Sequence, residues 1–377
     1  MERIGILGST GTIGRKVLEL IKDNSTDFEL TFITCNSNIS LLQQQIAYYN
    51  PKYAIVTGDI NSKLERNILN GWQHILDIIE NKKIDLLFVA SSGVDCIHAI
   101  YIAILKGLKI ATVNKETIVI AGDILCPLAK DRNVQFIPVD SEHSGIFQCL
   151  MGQNIDTIRS IILTASGGPF LYKQRKELEN ITLEDALDHP VWKMGKKITI
   201  DSATMMNKAF ELIETHYLFN IPSHKLDTII HPQSIIHAIV SFIDGSSLAQ
   251  LSIPDMKIPI SFALYYPQRN DLKNYYLDLP RVKNLTFMEM DNNRFPLIKT
   301  TKELLTGECN SYIIALEIAN EIAVKSFLNK QIGFTAIELI IKKILDTIKP
   351  LKLSTINDIL SYRNEIAIKT INLIKGM

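Results

Sequence analysis

The segment Val139-Asp140-Ser141-Glu142-His143 places two carboxylates directly after an apolar run, Gln135–Val139. In an extended backbone, side chains at i and i+2 point to one side, so Asp140 and Glu142 can converge on one cation. Two carboxylates without a neighbouring cysteine favour a hard, oxygen-seeking ion such as Mg2+ or Mn2+. The competing reading is a solvated acidic turn capping a helix that starts near Ser144. On these residues alone, that plainer reading is the stronger one.

A second cluster is Asp201-Ser202-Ala203-Thr204-Met205-Met206-Asn207-Lys208-Ala209-Phe210-Glu211. Ser202 is expected at a helix start, and Asn207 and Glu211, at i and i+4, share a face with Lys208 close beside them. A lysine, an amide and a hydroxyl near a helix start suit a phosphate monoester, and Glu211 can reach a metal from that face. The plainer alternative is a weak Lys208–Glu211 surface pair. Thr164-Ala165-Ser166-Gly167-Gly168-Pro169-Phe170 offers a backbone nest for an anion, with Ser166 donating, or simply a polar loop. His189-Pro190-Val191-Trp192-Lys193-Met194-Gly195-Lys196-Lys197 reads equally as a lid over a ligand or as a loop anchored by its tryptophan. His231 and His237 lie in an apolar strand setting, where a hydrogen-bonded structural histidine is expected rather than a metal pair.

Gly8-Ser9-Thr10-Gly11-Thr12-Ile13-Gly14 stands between the first strand and an amphipathic run. Glycines there let the backbone turn tightly and approach a pyrophosphate seated on the following helix N-terminus. The spacing is GxxGxxG rather than GxGxxG, and a plain strand-to-helix turn is the competing reading. An NAD site expects an acidic residue after the second strand, to hold the ribose diol. This chain has Cys35-Asn36-Ser37-Asn38, with no carboxylate to repel a 2′-phosphate and small polar donors to bind one, which leans towards NADP. Asn114-Lys115-Glu116 ends a later strand, where a doubly wound sheet forms its ligand crevice.

These residues need a scaffold, and the chain of 377 residues is long enough for two or three domains. Candidate strands at 3–7, 29–34, 53–56, 86–90, 110–113 and 135–139 alternate with helix-length segments, the pattern of a parallel doubly wound sheet. Strands are expected at 160–164, 228–230, 235–242 and 248–253, with a hairpin turn at Asp244-Gly245-Ser246 and a helix from Thr204 to Phe219. Residues 265–294 lack a period and read as a connection. Beyond them the pattern is helical, with Thr335-Ala336-Ile337-Glu338 as a capping box.

Equal numbers of basic and acidic residues, 40 each, argue against nucleic acid or an anionic membrane surface as a partner. Five scattered cysteines form no CxxC pair, which argues against a disulfide framework and suits a reducing compartment. Strand pattern begins at the first residues, so no leader is expected, and the longest apolar stretch is too short and too charged to span a bilayer. The expected location is cytoplasmic.

The order and text of GSTGTIG, NKE, PVDSEH, SGGPF, HPxWxMGxKI, DSATMMNK and HPQSIIH resemble the 1-deoxy-D-xylulose-5-phosphate reductoisomerase family along nearly the whole chain. The resemblance implies an α/β protein with an N-terminal Rossmann-like sheet, a central α+β catalytic domain and a C-terminal helical bundle. The matching boundaries are an NADPH domain at 1–138, a catalytic domain at 139–264 with a flap at 189–197, a connection at 265–294 and a helical domain at 295–377. It implies Asp140, Glu142 and Glu211 as ligands of Mg2+ or Mn2+. Substrate contacts would be Ser141, Ser166, His189, Ser202, Asn207 and Lys208, with Lys115 beside them and Lys115 and His189 in catalytic roles. Thr10, Gly11, Thr12 and Ile13, then Ser37 and Asn38, then Asn114, Glu116 and Gly195, would contact NADPH. Trp192 and Met194 would belong to the flap, and the family is a homodimer. One departure stands out: where many members have Gly-Lys-Asn, this chain has Asn36-Ser37-Asn38, which removes a cation from the 2′-phosphate.

The expected reaction is a metal-assisted rearrangement of 1-deoxy-D-xylulose 5-phosphate followed by hydride transfer from NADPH, giving 2-C-methyl-D-erythritol 4-phosphate in non-mevalonate isoprenoid biosynthesis. Two competitors remain. A semialdehyde dehydrogenase would need a nucleophilic cysteine, for which Cys149 is the candidate. A silent nucleotide-binding protein would be expected to have lost part of the carboxylate trio, which is intact.

Overall fold

A computed structural model describes residues 1–60, 67–192 and 194–377. Packing divides the chain into two units: one of Met1–Thr117, Leu125–Ser144 and Asp255–Tyr275, the other of Ile118–Ile124, Gly145–Pro254 and Tyr276–Met377.

The first unit is built on a parallel sheet of β1 (Glu2–Leu7), β2 (Phe28–Cys35), β3 (Tyr53–Val56), β4 (Ile68–Asn70), β5 (Leu86–Val89), β6 (Lys109–Thr112) and β7 (Phe136–Pro138). Their spatial order is β4-β3-β2-β1-β5-β6-β7. Order reverses at β1, whose neighbours are β2 and β5, so the loops leaving the carboxyl ends there frame a crevice. Six of these strands match the expected runs to within a residue or two. β4, three residues ending in Asn70, is too short to leave a periodic signal. The strands are almost continuously buried, as in a parallel sheet covered on both faces. Gly5 has no room for a side chain, because a Cβ there would lie 2.1 Å from the Phe32 ring. The helix Lys257–Tyr265 packs against the helix Thr12–Asp23, tied by Lys16–Asp255 and Lys257–Glu19, each at 2.9 Å.

The second unit holds a mixed sheet of β8 (Ile158–Ala165), β9 (Leu226–Ile230), β10 (Ile236–Phe242), β11 (Ser247–Leu251) and β12 (Met288–Glu289), ordered β11-β10-β8-β9-β12. The β10–β11 hairpin turns as expected at Gly245, whose φ of +89° suits glycine. β12 corrects the expectation of a bare connection at 265–294. Its two exposed residues pair antiparallel with β9, a pairing too brief to read locally. Among the helices that follow, Ser311–Leu328 is buried along most of its length, with Phe334–Thr347 and Ile356–Lys375 packed on it.

Three local expectations change. The helix Phe334–Thr347 starts at N-cap Gly333 without a side-chain cap. Glu338 instead meets Arg175 at 3.0 Å and Lys342 at 2.6 Å, because two cations hold a carboxylate more strongly than one backbone N–H. The helix expected from Thr204 to Phe219 is present as Met206–Phe219, but a separate helix, Lys196–Ala203, precedes it, the two parted by Met205 at φ +60°. Ser202 therefore ends a helix rather than starting one. Finally, a helix runs from Ser141 to Leu150, so Glu142 lies in a first helical turn and not in an extended segment.

Candidate active site

In the first unit the glycine turn follows β1. Gly8 has φ +82°, and a Cβ on Gly14 would lie 2.2 Å from the Gly8 carbonyl oxygen, so neither position admits a side chain without movement. Gly11 is the extended N-cap of the helix Thr12–Asp23, with no side chain spent on its first N–H groups. Those N–H groups and the exposed Gly11 and Thr12 leave the helix N-terminus open to an anion, with Thr10 and Ile13 half-buried beside them. Buried Ser9 donates to the Thr34 carbonyl at 3.0 Å and meets Gln45 at 2.7 Å, which locks the turn to β2. Ser37 and Asn38 are exposed beyond β2. Asn38 Oδ1 accepts the Leu41 N–H at 3.1 Å as a helix cap, leaving its amide group as the donor.

Asn114 is spent on structure. Its Oδ1 caps the next helix by accepting Thr117 N–H at 2.8 Å, and its amide donates to the Ser91 and Gly93 carbonyls at 2.8 and 2.7 Å. Lys115 and Glu116, both buried, open that helix. Lys115 Nζ makes an ion pair with Asp140, and His143 Nδ1 lies 3.6 Å from the same carboxylate. Ser141 donates to Glu142. Carboxylate oxygens of Asp140 and Glu142 lie within 4.8 Å of each other, so both offer ligand atoms to one ion although the extended geometry expected of them is absent. The contribution of Lys115 to this carboxylate group, and the nearness of His143, were not legible from spacing.

In the second unit two groups form. Lys208 Nζ is ion-paired with Glu211 and donates to the Thr164 carbonyl, and Asn207 donates to Glu211. Both Lys208 and Glu211 are buried, which removes the surface-pair reading. Asn207 Oδ1 is buried with no hydrogen-bond partner among the described residues. A buried orphaned acceptor costs about 1–3 kcal/mol, and a ligand donor would relieve it.

The other group joins Ser166, His189 and Ser202. His189 Nε2 lies 3.2 Å from Ser166 Oγ and 3.1 Å from Ser202 Oγ, while its Nδ1 accepts the Trp192 N–H at 2.9 Å. Burial pushes the His189 pKa below its ordinary value, favouring the neutral ring. Gly167 and Gly168 are both left-handed, at φ +90° and +65°, and a Cβ on Gly168 would sit 2.9 Å from the Ser202 carbonyl. The glycine pair thus brings the Ser166 loop against the Ser202 turn. Trp192 and Met194 are half-buried and Gly195 is the exposed N-cap of the Ser202 helix; Lys193 lies outside the described residues.

The Cys149 thiol is buried, and burial pushes its pKa up to about 11. It holds its proton at neutral pH, which removes the physical basis of a cysteine-dependent dehydrogenase. His231 and His237 are structural, as expected, bonding to the Thr286 carbonyl at 2.9 Å and Ser252 Oγ at 3.0 Å.

The family model of 1-deoxy-D-xylulose 5-phosphate reductoisomerase matches residues 4–122, and two models of its C-terminal domains match 136–219 and 251–368. A relative of that name from Caldanaerobacter subterraneus subsp. tengcongensis is 43% identical over 96% of each chain. One from Wolbachia pipientis is 41% identical over 100% of this chain and 98% of its own. A crystal structure titled as DOX-P reductoisomerase with NADPH, fosmidomycin and magnesium superposes with a TM-score of 0.92 at 33% identity, covering 100% and 98% of the two chains. The Zymomonas mobilis enzyme with NADPH gives 0.91 at 35% identity over 100% of both. The chain belongs to the 1-deoxy-D-xylulose 5-phosphate reductoisomerase family.

Proposed function

We propose that this chain converts 1-deoxy-D-xylulose 5-phosphate to 2-C-methyl-D-erythritol 4-phosphate with NADPH and a divalent metal, in non-mevalonate isoprenoid precursor biosynthesis. One observation carries the reading beyond family membership. Two lysine–carboxylate pairs, Lys115–Asp140 and Lys208–Glu211, are withdrawn from solvent at the family's motif positions. Such pairs contribute little to stability against apolar replacements, so a preformed charged site accounts for them better than folding does.

In this reading Asp140, Glu142 and Glu211 hold Mg2+ or Mn2+, consistent with an all-oxygen donor set. The metal, when bound, polarises the substrate carbonyl and stabilises the negative charge that develops on its oxygen. Lys115 keeps the Asp140 carboxylate in place and lends positive charge beside the substrate. Ser166, Ser202, Asn207 and Lys208 bind the phosphate end, with Ser141 a further substrate contact. His189, held neutral, presents an Nε2–H donor between Ser166 and Ser202. Binding energy gained at the phosphate is available to close the 189–197 flap and exclude water from the reacting carbons.

NADPH lies on the Gly8–Gly14 turn, with Thr10, Gly11, Thr12 and Ile13 at the pyrophosphate and Ser37 and Asn38 at the 2′-phosphate. Asn114 and Glu116 shape the nicotinamide side, with Gly195 as a further contact. The family relatives solved with NADPH and with magnesium support these two cofactors. The division into NADPH, catalytic, connecting and helical parts at 138, 264 and 294 is part of the proposal, as are a homodimer and a cytoplasmic location. Among the described residues no helix is long and apolar enough to cross a membrane.

The test is NADPH consumption with 1-deoxy-D-xylulose 5-phosphate, with and without Mg2+. Consumption is expected only when substrate and metal are both present, with 2-C-methyl-D-erythritol 4-phosphate as product. No consumption at saturating substrate and metal would refute the assignment.

A further inference from the structure

The turn that ends the helix Lys196–Ala203 carries two neighbouring side chains with different tasks. Ser202 Oγ meets His189 Nε2 at 3.1 Å, and His189 opens the 189–197 segment. Asp201 Oδ2 accepts from Lys197 Nζ at 3.2 Å, and Lys197 closes the same segment. Both ends of the segment are therefore tied to one dipeptide. Asp201 is in turn gripped from the helix Ser311–Leu328, where Asn320 Nδ2 donates to its Oδ1 at 2.8 Å. Glu317, one turn earlier on that helix, lies 4.0 Å from Lys197 Nζ, and the Lys197 ammonium sits 5.1 Å from the Phe210 ring.

Stability is a poor account of this cluster. Asp201 is 2% exposed, Glu317 and Asn320 are fully buried, and the Asn320 Oδ1 has no hydrogen-bond partner among the described residues. Apolar residues of similar volume would fill the same space without desolvating carboxylates or leaving an amide oxygen orphaned. What the polar cluster adds is direction: a carboxylate bonded from two sides has one position, and so does the turn that bears it.

We infer that Asp201, held by Asn320, is a positioning residue that sets Ser202 and both ends of the 189–197 segment for binding of the substrate's phosphate. The inference rests on the reading of Ser202 as a phosphate ligand. Asn320 touches neither substrate nor cofactor in this scheme, and it acts through Asp201. Its removal lets the Ser202 turn shift, and misplacement of a positioning group on the order of 1 Å is enough to lower turnover or binding severely.

The experiment is a double-mutant cycle on the full-length enzyme with Asn320→Ala and Ser202→Ala, read as KM for 1-deoxy-D-xylulose 5-phosphate, KM for NADPH and kcat. Asn320→Ala is expected to raise the phosphosugar KM about tenfold, equivalent to about 1.4 kcal/mol, with the NADPH KM unmoved. In the Ser202→Ala background the same substitution is expected to add almost nothing. A full additional increase in that background would overturn the inference, because Asn320 would then act elsewhere. If Ser202→Ala leaves the phosphosugar KM unchanged, the phosphate role of Ser202 falls instead, and the inference with it. Where Asn320→Ala does not fold, Asp201→Asn takes its place in the same cycle, since it keeps the shape and removes the charge that Lys197 and Asn320 meet.

Discussion

His189 Nδ1 accepts the backbone N–H of Trp192 at 2.9 Å, and this contact decides which ring nitrogen carries the proton. An N–H cannot donate to a protonated nitrogen, so the proton resides on Nε2, which faces Ser166 and Ser202. Burial lowers the pKa of the ring, so the folded state holds it neutral where the unfolded chain begins to protonate. The folded protein then binds fewer protons in that window, and its stability falls as pH drops from about 6.5 towards the lowered folded value. His189→Gln is expected to flatten this part of the stability–pH profile, measured by urea unfolding between neutral and mildly acidic pH. An unchanged slope would mean that His189 does not titrate as its burial requires.

Glu211 carries a second prediction. Glu211→Gln keeps the shape but leaves Lys208 buried beside a neutral amide. Breaking a buried pair in this way destabilises by about 3–5 kcal/mol, here reduced by the retained Lys208 bond to Thr164. Turnover is expected to fall on the order of a hundredfold or more, as for loss of a preorganised charge at a reacting centre. NADPH affinity is expected to stay within about twofold in the same measurement. Wild-type activity at limiting Mg2+ would remove Glu211 from the metal.

The third prediction concerns the exposed loop after β2. Ser37 offers a neutral hydrogen bond of about 0.5–1.5 kcal/mol, whereas a lysine there offers a charged one of about 1.5–3 kcal/mol. Ser37→Lys is therefore expected to raise the NADPH/NADH ratio of kcat/KM by about three- to tenfold. Ser37→Asp is expected to shift the ratio towards NADH by repulsion. A ratio that ignores both substitutions would place the 2′-phosphate elsewhere.

Trp192 supplies the fourth. Its ring lies 6.5 Å from that of His237, and the residue is half-buried. In a Trp72→Phe variant, titration with substrate or a phosphonate mimic is expected to shield Trp192, seen as a blue shift with reduced quenching by iodide. A signal that stays flat at saturation would argue against closure of the 189–197 segment.

Much of the first unit was legible because its determinants are local. A glycine that must turn at φ +82°, and another where a Cβ would fall 2.2 Å from a carbonyl oxygen, announce themselves as glycines at fixed spacing. Apolar runs of strand length, separated by helix-length segments, specify a parallel sheet without reference to distant partners. The types of the chemistry-bearing residues were equally plain, since carboxylates, lysines and small hydroxyls each admit few roles.

Only tertiary structure decided where those side chains point. Asp140 and Glu142 were expected to converge through an extended backbone, yet Glu142 lies in the first turn of a helix that begins at Ser141. Ser202 was expected at a helix start and ends one, because Met205 takes a left-handed conformation that no local pattern signals. Glu338 read as a capping residue until Arg175, 163 positions away, and Lys342 outcompeted the backbone for it. The same is true of Asn320, whose place in a helical tail carries no local signal of the 2.8 Å bond to Asp201 that folding creates. Backbone preferences act over a few residues and can be read from the sequence. Hydrogen bonds and ion pairs between distant residues depend on side-chain positions that exist only once the core has packed.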